Sequence, residues 1–452
     1  TGALAELSDV VVTGGDIDVE ASGIDLLGTT YEAVGSGAIA LTGAVNLLGS
    51  GAPGVATTLT TNGTLNTDDI LIDGTVDDPV GGAGDEDALI LNANSVGALG
   101  DIEITGAVGG TNPLGGFLVA AANDVTIESV TTAGDPLNAV TGGTTINIGS
   151  TSAVSGTLTI GSSAAPPAAA TLATDGAGAT ANTGGIRINS DADAVVIHGI
   201  RFDTNDAVAA GGSDTGTDAG VSFPGTGGLA GDGGEGVIFD LGSANLDLQP
   251  AAVSISSVNY VMVQSAGNVD LPAFTAAGAG QLTDGSANTT NTNVALDVAA
   301  SGTITLHGDI ETTGLGDDAD AGGVRFAADA AGGAAILLAP DSGTSITITT
   351  ADGGGGSGRN GDVSITVPVD ATTAETESLT INAGTETAPG DATVTLGSGA
   401  GGQAIGRAGS ELGGLNVTGE FIVIDAAVSS VGATFTASGA TDERTRTNLG
   451  PE

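Results

Sequence analysis

The chain has 452 residues, of which 54 are acidic and 7 basic, for a formal net charge of −47; every basic residue is arginine. Repulsion on that scale disfavours nucleic acid and anionic membrane surfaces as partners, and no stretch has the length of a membrane helix. Aromatic residues make up 2% of the chain, Trp and Cys are absent, and 79 residues are Gly, which excludes a thick aromatic core, disulfides and thiol chemistry.

Residues 1–160 read as consecutive short strands, because the pattern apolar–any–apolar recurs between Gly, Asn or Asp corners, as in Ile102-Glu103-Ile104, Val125-Thr126-Ile127, Ile146-Asn147-Ile148 and Leu158-Thr159-Ile160. Alternation over so few residues predicts strands with one buried face, here Ile102, Ile104, Val125 and Ile127, while Glu103 and Thr126 face out. Residues 161–185 lose the alternation and contain Pro166-Pro167, so they are expected to be a loop or hinge.

A second block follows over 186–440, with clear strands at Ile304-Thr305-Leu306, Ile346-Thr347-Ile348, Val363-Ser364-Ile365 and Leu379-Thr380-Ile381. Gly- and polar-rich stretches at 206–234, 275–293 and 350–361 interrupt it as loops, and 441–452 is expected to be a tail or linker. One passage, Asp69-Ile70-Leu71-Ile72 through Leu114-Gly115-Gly116-Phe117-Leu118-Val119, is echoed by Asp362-Val363-Ser364-Ile365 through Leu412-Gly413-Gly414-Leu415-Asn416-Val417, as a duplicated multi-coil unit would be. Together these features predict an all-β fold, a right-handed parallel β-solenoid with Gly-rich corners, a few long loops and coils of about 20–25 residues.

The phrases Leu379-Thr380-Ile381-Asn382-Ala383-Gly384 and Ser410-Glu411-Leu412-Gly413-Gly414-Leu415-Asn416-Val417-Thr418-Gly419, with Ile104-Thr105-Gly106-Ala107-Val108-Gly109-Gly110-Thr111, resemble the repeats of filamentous-haemagglutinin-like bacterial surface exoproteins. The resemblance covers about 65–130 and 345–440. It implies a secreted parallel β-helix used in adhesion, biofilm matrix or surface layers, with a host-cell or matrix polysaccharide as the expected ligand. It brings no catalytic motif.

Two chemistries are open to such a chain. Carboxylates at corners suit calcium, with Asp85 and Asp87 in the Gly-rich run 81–89 and Asp317, Asp318 and Asp320 as the candidate ligands; Asp77-Asp78 and Asp214 with Asp218 are further acidic corners, and a solvated surface is the plainer explanation of each. A lyase acting on acidic polysaccharide would use His198 and Arg201 with Asp203 and Asp206, although a polyanionic chain repels such a substrate. No Ser-His-Asp order, phosphate-binding loop or His/Cys cluster is present, so the expectation is a non-enzymatic extracellular or cell-surface protein. Apolar strand phrases near both ends, such as Val10-Val11-Val12 and Phe421-Ile422-Val423-Ile424, point to head-to-tail stacking of copies into a filament, with an adhesin stalk and a polysaccharide-degrading enzyme as alternatives.

Overall fold

A computed structural model of the chain describes residues 4–49, 54–63, 65–79, 86–94, 99–133, 144–161, 170–174, 183–191, 194–205, 218–231, 236–248, 254–276, 294–312, 321–328, 333–350, 360–384, 392–397 and 404–437. Among them every regular element is a β-strand, and the named strands pair in parallel. Thr1–Leu229 with Asp240–Ala244 make one compact unit, and Ala230–Phe239 with Asn245–Glu452 a second.

In the first unit the strands fall on three ladders. The first runs through Ile17, Ile39, Ile70, Ile102, Val125, Leu158 and Val195. The second runs through Val10, Tyr31, Leu59, Leu91, Val119, Ile148 and Ile188. The third runs through Ala5, Ile24, Val45, Val76, Val108, Val130, Leu172 and Phe202. Along the chain the order is third, second, first, then third again, so each strand pairs with one a full coil away. Such pairing requires a crossover between partners, and here the other two ladders' strands and their corners make it.

The second unit has three ladders of the same kind. Its first ladder holds Ile255, Phe274, Ile310, Ile348, Ile381, Val417 and Phe435. Its second holds Leu246, Val269, Ile304, Ile336, Val369, Ile405 and Val428, and its third Val261, Leu296, Val324, Val363, Val394 and Ile422.

The expected facing holds at Ile102–Ile104 and Val125–Ile127: Ile102, Ile104, Val125 and Ile127 are buried, and Glu103 and Thr126 are exposed. Leu379 and Ile381 are buried in the same alternation, with Thr380 between them half-buried. Few bulky side chains are needed because stacked Val, Ile and Leu fill the interior; Tyr31, Phe117, Phe202, Phe239 and Phe326 are the largest fully buried ones.

Coils are longer and less regular than expected from the strand phrases. The step between paired residues is 23 from Ile102 to Val125, 33 from Val125 to Leu158 and 37 from Leu158 to Val195. At three corners a buried threonine bonds across to a glycine carbonyl ten or eleven residues ahead. Thr174 Oγ1 donates to the Gly184 carbonyl at 2.6 Å, Thr350 Oγ1 to that of Gly361 at 2.6 Å, and Thr312 Oγ1 to that of Gly322. Ala170–Thr174, inside the segment expected to be a loop, is itself a strand paired with Val130–Thr132.

The echoed passages occupy different ladders. Ile70–Asp73, Ala88–Asn92, Ile102–Ile104 and Gly116–Ala121 lie on first, second, first and second ladders. Their counterparts Val363–Ile365, Ser378–Asn382, Thr393–Leu396 and Gly414–Gly419 lie on third, first, third and first. The local geometry is nonetheless kept: the Gly115 amide donates to Asp87 O at 2.9 Å and the Gly413 amide to Glu377 O at 2.8 Å.

Candidate functional site

The acidic corners carry a regular hydrogen-bonding device. A residue just before the first inward side chain of a strand turns its side-chain oxygen onto the backbone amide at the same position one coil later. Asp69 Oδ1 accepts from Asp101 N at 2.8 Å, Asp101 Oδ1 from Asp124 N at 3.0 Å, and Asp124 Oδ1 from Thr157 N at 2.5 Å. Asp16 does the same to Ala38, Asp309 to Thr347 and Asp362 to Thr393 on amides 2.7–2.9 Å away. Asparagine serves equally: Asn245 Oδ1 accepts from Asn268 N, and Asn268 Oδ1 from Thr303 N at 2.8 Å. Each bond gives a backbone amide an acceptor from the coil before, and a carboxylate acceptor strengthens it.

The glycine before the receiving residue belongs to the same device. A Cβ on Gly156 would sit 2.0 Å from Asp124 Oδ1, and one on Gly302 would sit 2.4 Å from Asn268 Oδ1. The phrase Gly-(Asp/Thr)-apolar-any-apolar, as in Gly156-Thr157-Leu158-Thr159-Ile160, therefore records the acceptor of the preceding coil. Stacked carboxylates carry an electrostatic cost as well. Burial, with Asp101 and Asp68 nearby, pushes the Asp69 carboxyl above its ordinary range, against the hydrogen bond from Asp101.

Of the candidate calcium ligands, Asp87 lies among the described residues; Asp85, Asp317, Asp318 and Asp320 lie outside them. Asp87 is 5% exposed, accepts from Val55 N at 2.9 Å, and donates its own amide to Asp78 Oδ2 at 2.7 Å. Burial and the neighbouring Asp78 push its carboxyl up to about 6, against the hydrogen bond from Val55. The other acidic corners bond to backbone too, Asp77 to the amides of Thr111 and Asn112, and Asp218 to the amide and hydroxyl of Ser243. Asp214 and Asp206 lie outside the described residues. Among the described residues no group of three or more His, Asp or Glu is arranged around a metal position.

The described arginines are engaged in the ladders. Arg201, on Ile200–Asp203, is held by Asp203 at 3.0 Å and by Asp240. Arg407 is clasped by Asp370, and Arg325 lies 3.3 Å from Asp297, whose carboxyl is pushed up by burial. His198, half-buried in the turn before Ile200–Asp203, donates its amide to Ile160 O at 2.9 Å. His307 was not among the residues singled out from sequence. Its ring spans three coils, with Nδ1 3.2 Å from Asp341 Oδ1 and Nε2 3.8 Å from Asp270 Oδ1. It borders a groove of about 350 Å³ lined by Pro272, Pro340, Asp309 and Ser345. The signal for this cluster is spread over coils of unequal length, so local sequence does not display it.

No protein-family model, no curated protein and no solved structure matches the chain.

Proposed function

We propose that the ladders close into a right-handed parallel β-solenoid and that the chain is an extracellular structural protein, a subunit of a self-assembling surface filament or matrix fibre of the filamentous-haemagglutinin-like kind. The observation that carries this reading is the parallel pairing of short strands on three ladders, each strand bonded to those one coil before and after it. Backbone pairing of this kind extends to a further chain wherever a strand edge is open. Right-handed closure follows the strong preference of parallel crossover connections.

The net charge opposes association, so assembly needs salt or calcium to neutralise it. A lyase built on His198 and Arg201 draws no support from Arg201, whose guanidinium is taken up by Asp203 and Asp240. Electron microscopy of the purified chain with and without salt and calcium tests the proposal. Fibres are expected; separate particles under all conditions, with no growth in light scattering, refute it and favour the stalk.

A further inference from the structure

We propose that the outward face of the second unit's first ladder, over the strands between Ser345 and Ala437, binds ice: the ligand is the water lattice, held by stacked files of Thr, Ser and Asn side chains. This goes beyond the filament reading and does not rest on it. Three observations carry it: the regularity of the face, its lack of charge, and the restraint on its side chains.

Ser345–Thr349, Ser378–Asn382, Gly414–Gly419 and Ala433–Ala437 pair in parallel without a register shift. Their inward residues, such as Ile348, Ile381 and Val417, are buried, so the residues between them point out. Thr347 stacks on Thr380 and Thr380 on Asn416, while Thr349 stacks on Asn382 and Asn382 on Thr418. Ala433–Ala437 adds one Thr to each file. Polar groups therefore repeat about every 4.8 Å across the strands and about every 6.6 Å along each one. Those two repeats are close to the spacings of oxygen atoms on a prism face of ice.

No outward residue of these four strands is ionisable, in a chain that holds 54 acids. By contrast, outward positions on the first unit's first ladder carry the exposed Asp18, Glu20, Asp73 and Glu103. The neutral stretch begins after Glu311, which lies beside Thr349 on the preceding strand. Glu377 and Glu420 flank the strands at Ser378 and Gly419 and stay out of the files; Glu377 is buried and accepts from Thr373 N at 2.8 Å. An ionic group draws water radially about itself and breaks a lattice. Hydroxyls and side-chain amides enter a water network as both donors and acceptors.

The side chains of the files are restrained before any ligand arrives. Threonine, branched at Cβ, is stiff at χ1, and Thr347, Thr380 and Thr418 are each half-buried, so they reach water with little freedom to swing. Asn382 is fixed by its own backbone, its Oδ1 accepting from Gly384 N at 3.2 Å. Groups ordered by folding lose little further entropy on binding, which is what a surface needs when each contact with water is weak. The files hold no aromatic ring on which a sugar could stack, so ice rather than a crystalline polysaccharide is the occupant the face fits.

The test is the uptake of the purified full chain into ice grown slowly from dilute, calcium-free buffer, measured against a protein that ice excludes. The parent chain is expected to be enriched in the ice and to facet a single ice crystal, with a gap between its melting and freezing points. Thr380→Tyr sets a ring in the middle of the files and should return uptake to the level of the excluded protein. Asn416→Asp, nearly identical in shape and placed at an exposed position, adds only a charge and should lower uptake as well. Thr395→Tyr, outward on the third ladder between Ser364 and Val423, should leave uptake as in the parent. Circular dichroism checks that each variant keeps its β-structure. Exclusion of the parent from ice overturns the proposal, and so does uptake that T380Y and N416D leave unchanged or that T395Y abolishes equally. Binding of the parent to chitin or cellulose powder, lost in T380Y, together with exclusion from ice, assigns the face to polysaccharide and overturns ice as its ligand. None of these results depends on fibre formation, which is read separately by microscopy.

Discussion

Replacing Asp87 by asparagine separates two roles for the buried acid. Asp87 is 5% exposed and lies next to Asp78, itself 1% exposed. Its carboxyl releases its proton near pH 6, compared with about 3.8 for a free aspartate. Between those values the folded chain holds a proton that the unfolded chain has released. The stability from this group is therefore complete below pH 3.8 and is lost as pH rises through about 6. The full difference corresponds to about 3 kcal/mol, and water reaching the corner leaves on the order of 1–2 kcal/mol. Asparagine keeps the oxygen that accepts from Val55 N at 2.9 Å and removes the charge. D87N should accordingly gain about 1–2 kcal/mol over the parent at pH 7.5 and almost nothing at pH 4. Urea unfolding of both chains at both pH values in chelator gives the double difference, free of the contributions of other acids. Equal or lower stability of D87N at pH 7.5 in chelator refutes the burial argument. A gain in chelator that reverses in calcium would instead make Asp87 a ligand.

Gly156→Ala should cost about 2–3 kcal/mol, because its Cβ would meet Asp124 Oδ1 at 2.0 Å; adding Asp124→Ala should recover part of the loss, and additive losses in a double-mutant cycle would sink the shared-space argument. Ile381→Asp, at a 0% exposed position between Ile348 and Val417, should cost about 4 kcal/mol or more and leave little soluble folded chain, as followed by circular dichroism and thermal melting. Calcium should raise the melting temperature beyond what sodium achieves at equal ionic strength; equal responses would reduce the effect to charge screening.

The strands were legible because alternation over three residues needs no partner to be recognised. Ile102-Glu103-Ile104 announces its own facing, and parallel stacking follows from many such phrases without hairpin turns. The corner device was only half legible. Gly156 reads as a turn glycine, yet its missing side chain makes room for Asp124, and the phrase around residue 156 marks that an acceptor lies a coil before without saying which residue it is. The same distance hides the His307 cluster, whose partners Asp270 and Asp341 come from the coils on either side. Coil length was hidden for a related reason: the steps of 23, 33 and 37 residues between paired strands follow no fixed period, so the number of residues between phrases carries no register. Asp87 stood out for its acidity in a glycine-rich run, but its bond from Val55 comes from the preceding coil, which no local pattern displays.

The displacement of the echoed passages by one ladder bears on how such a chain can lengthen. All three faces accept the same phrase, with an inward alternation and a glycine approach like those of Gly115 and Gly413. A gene segment encoding a few phrases can thus be copied into a new place without landing on the face it left. Copies of three phrases preserve every downstream ladder; copies of one or two move everything that follows by one or two ladders and still find an apolar seat. Drift can then specialise the corners separately, since a coil's length is free while its three strands are not. Growth by unequal recombination is open to this architecture at a finer grain than the coil, and the irregular spacing of its phrases is the record such growth would leave.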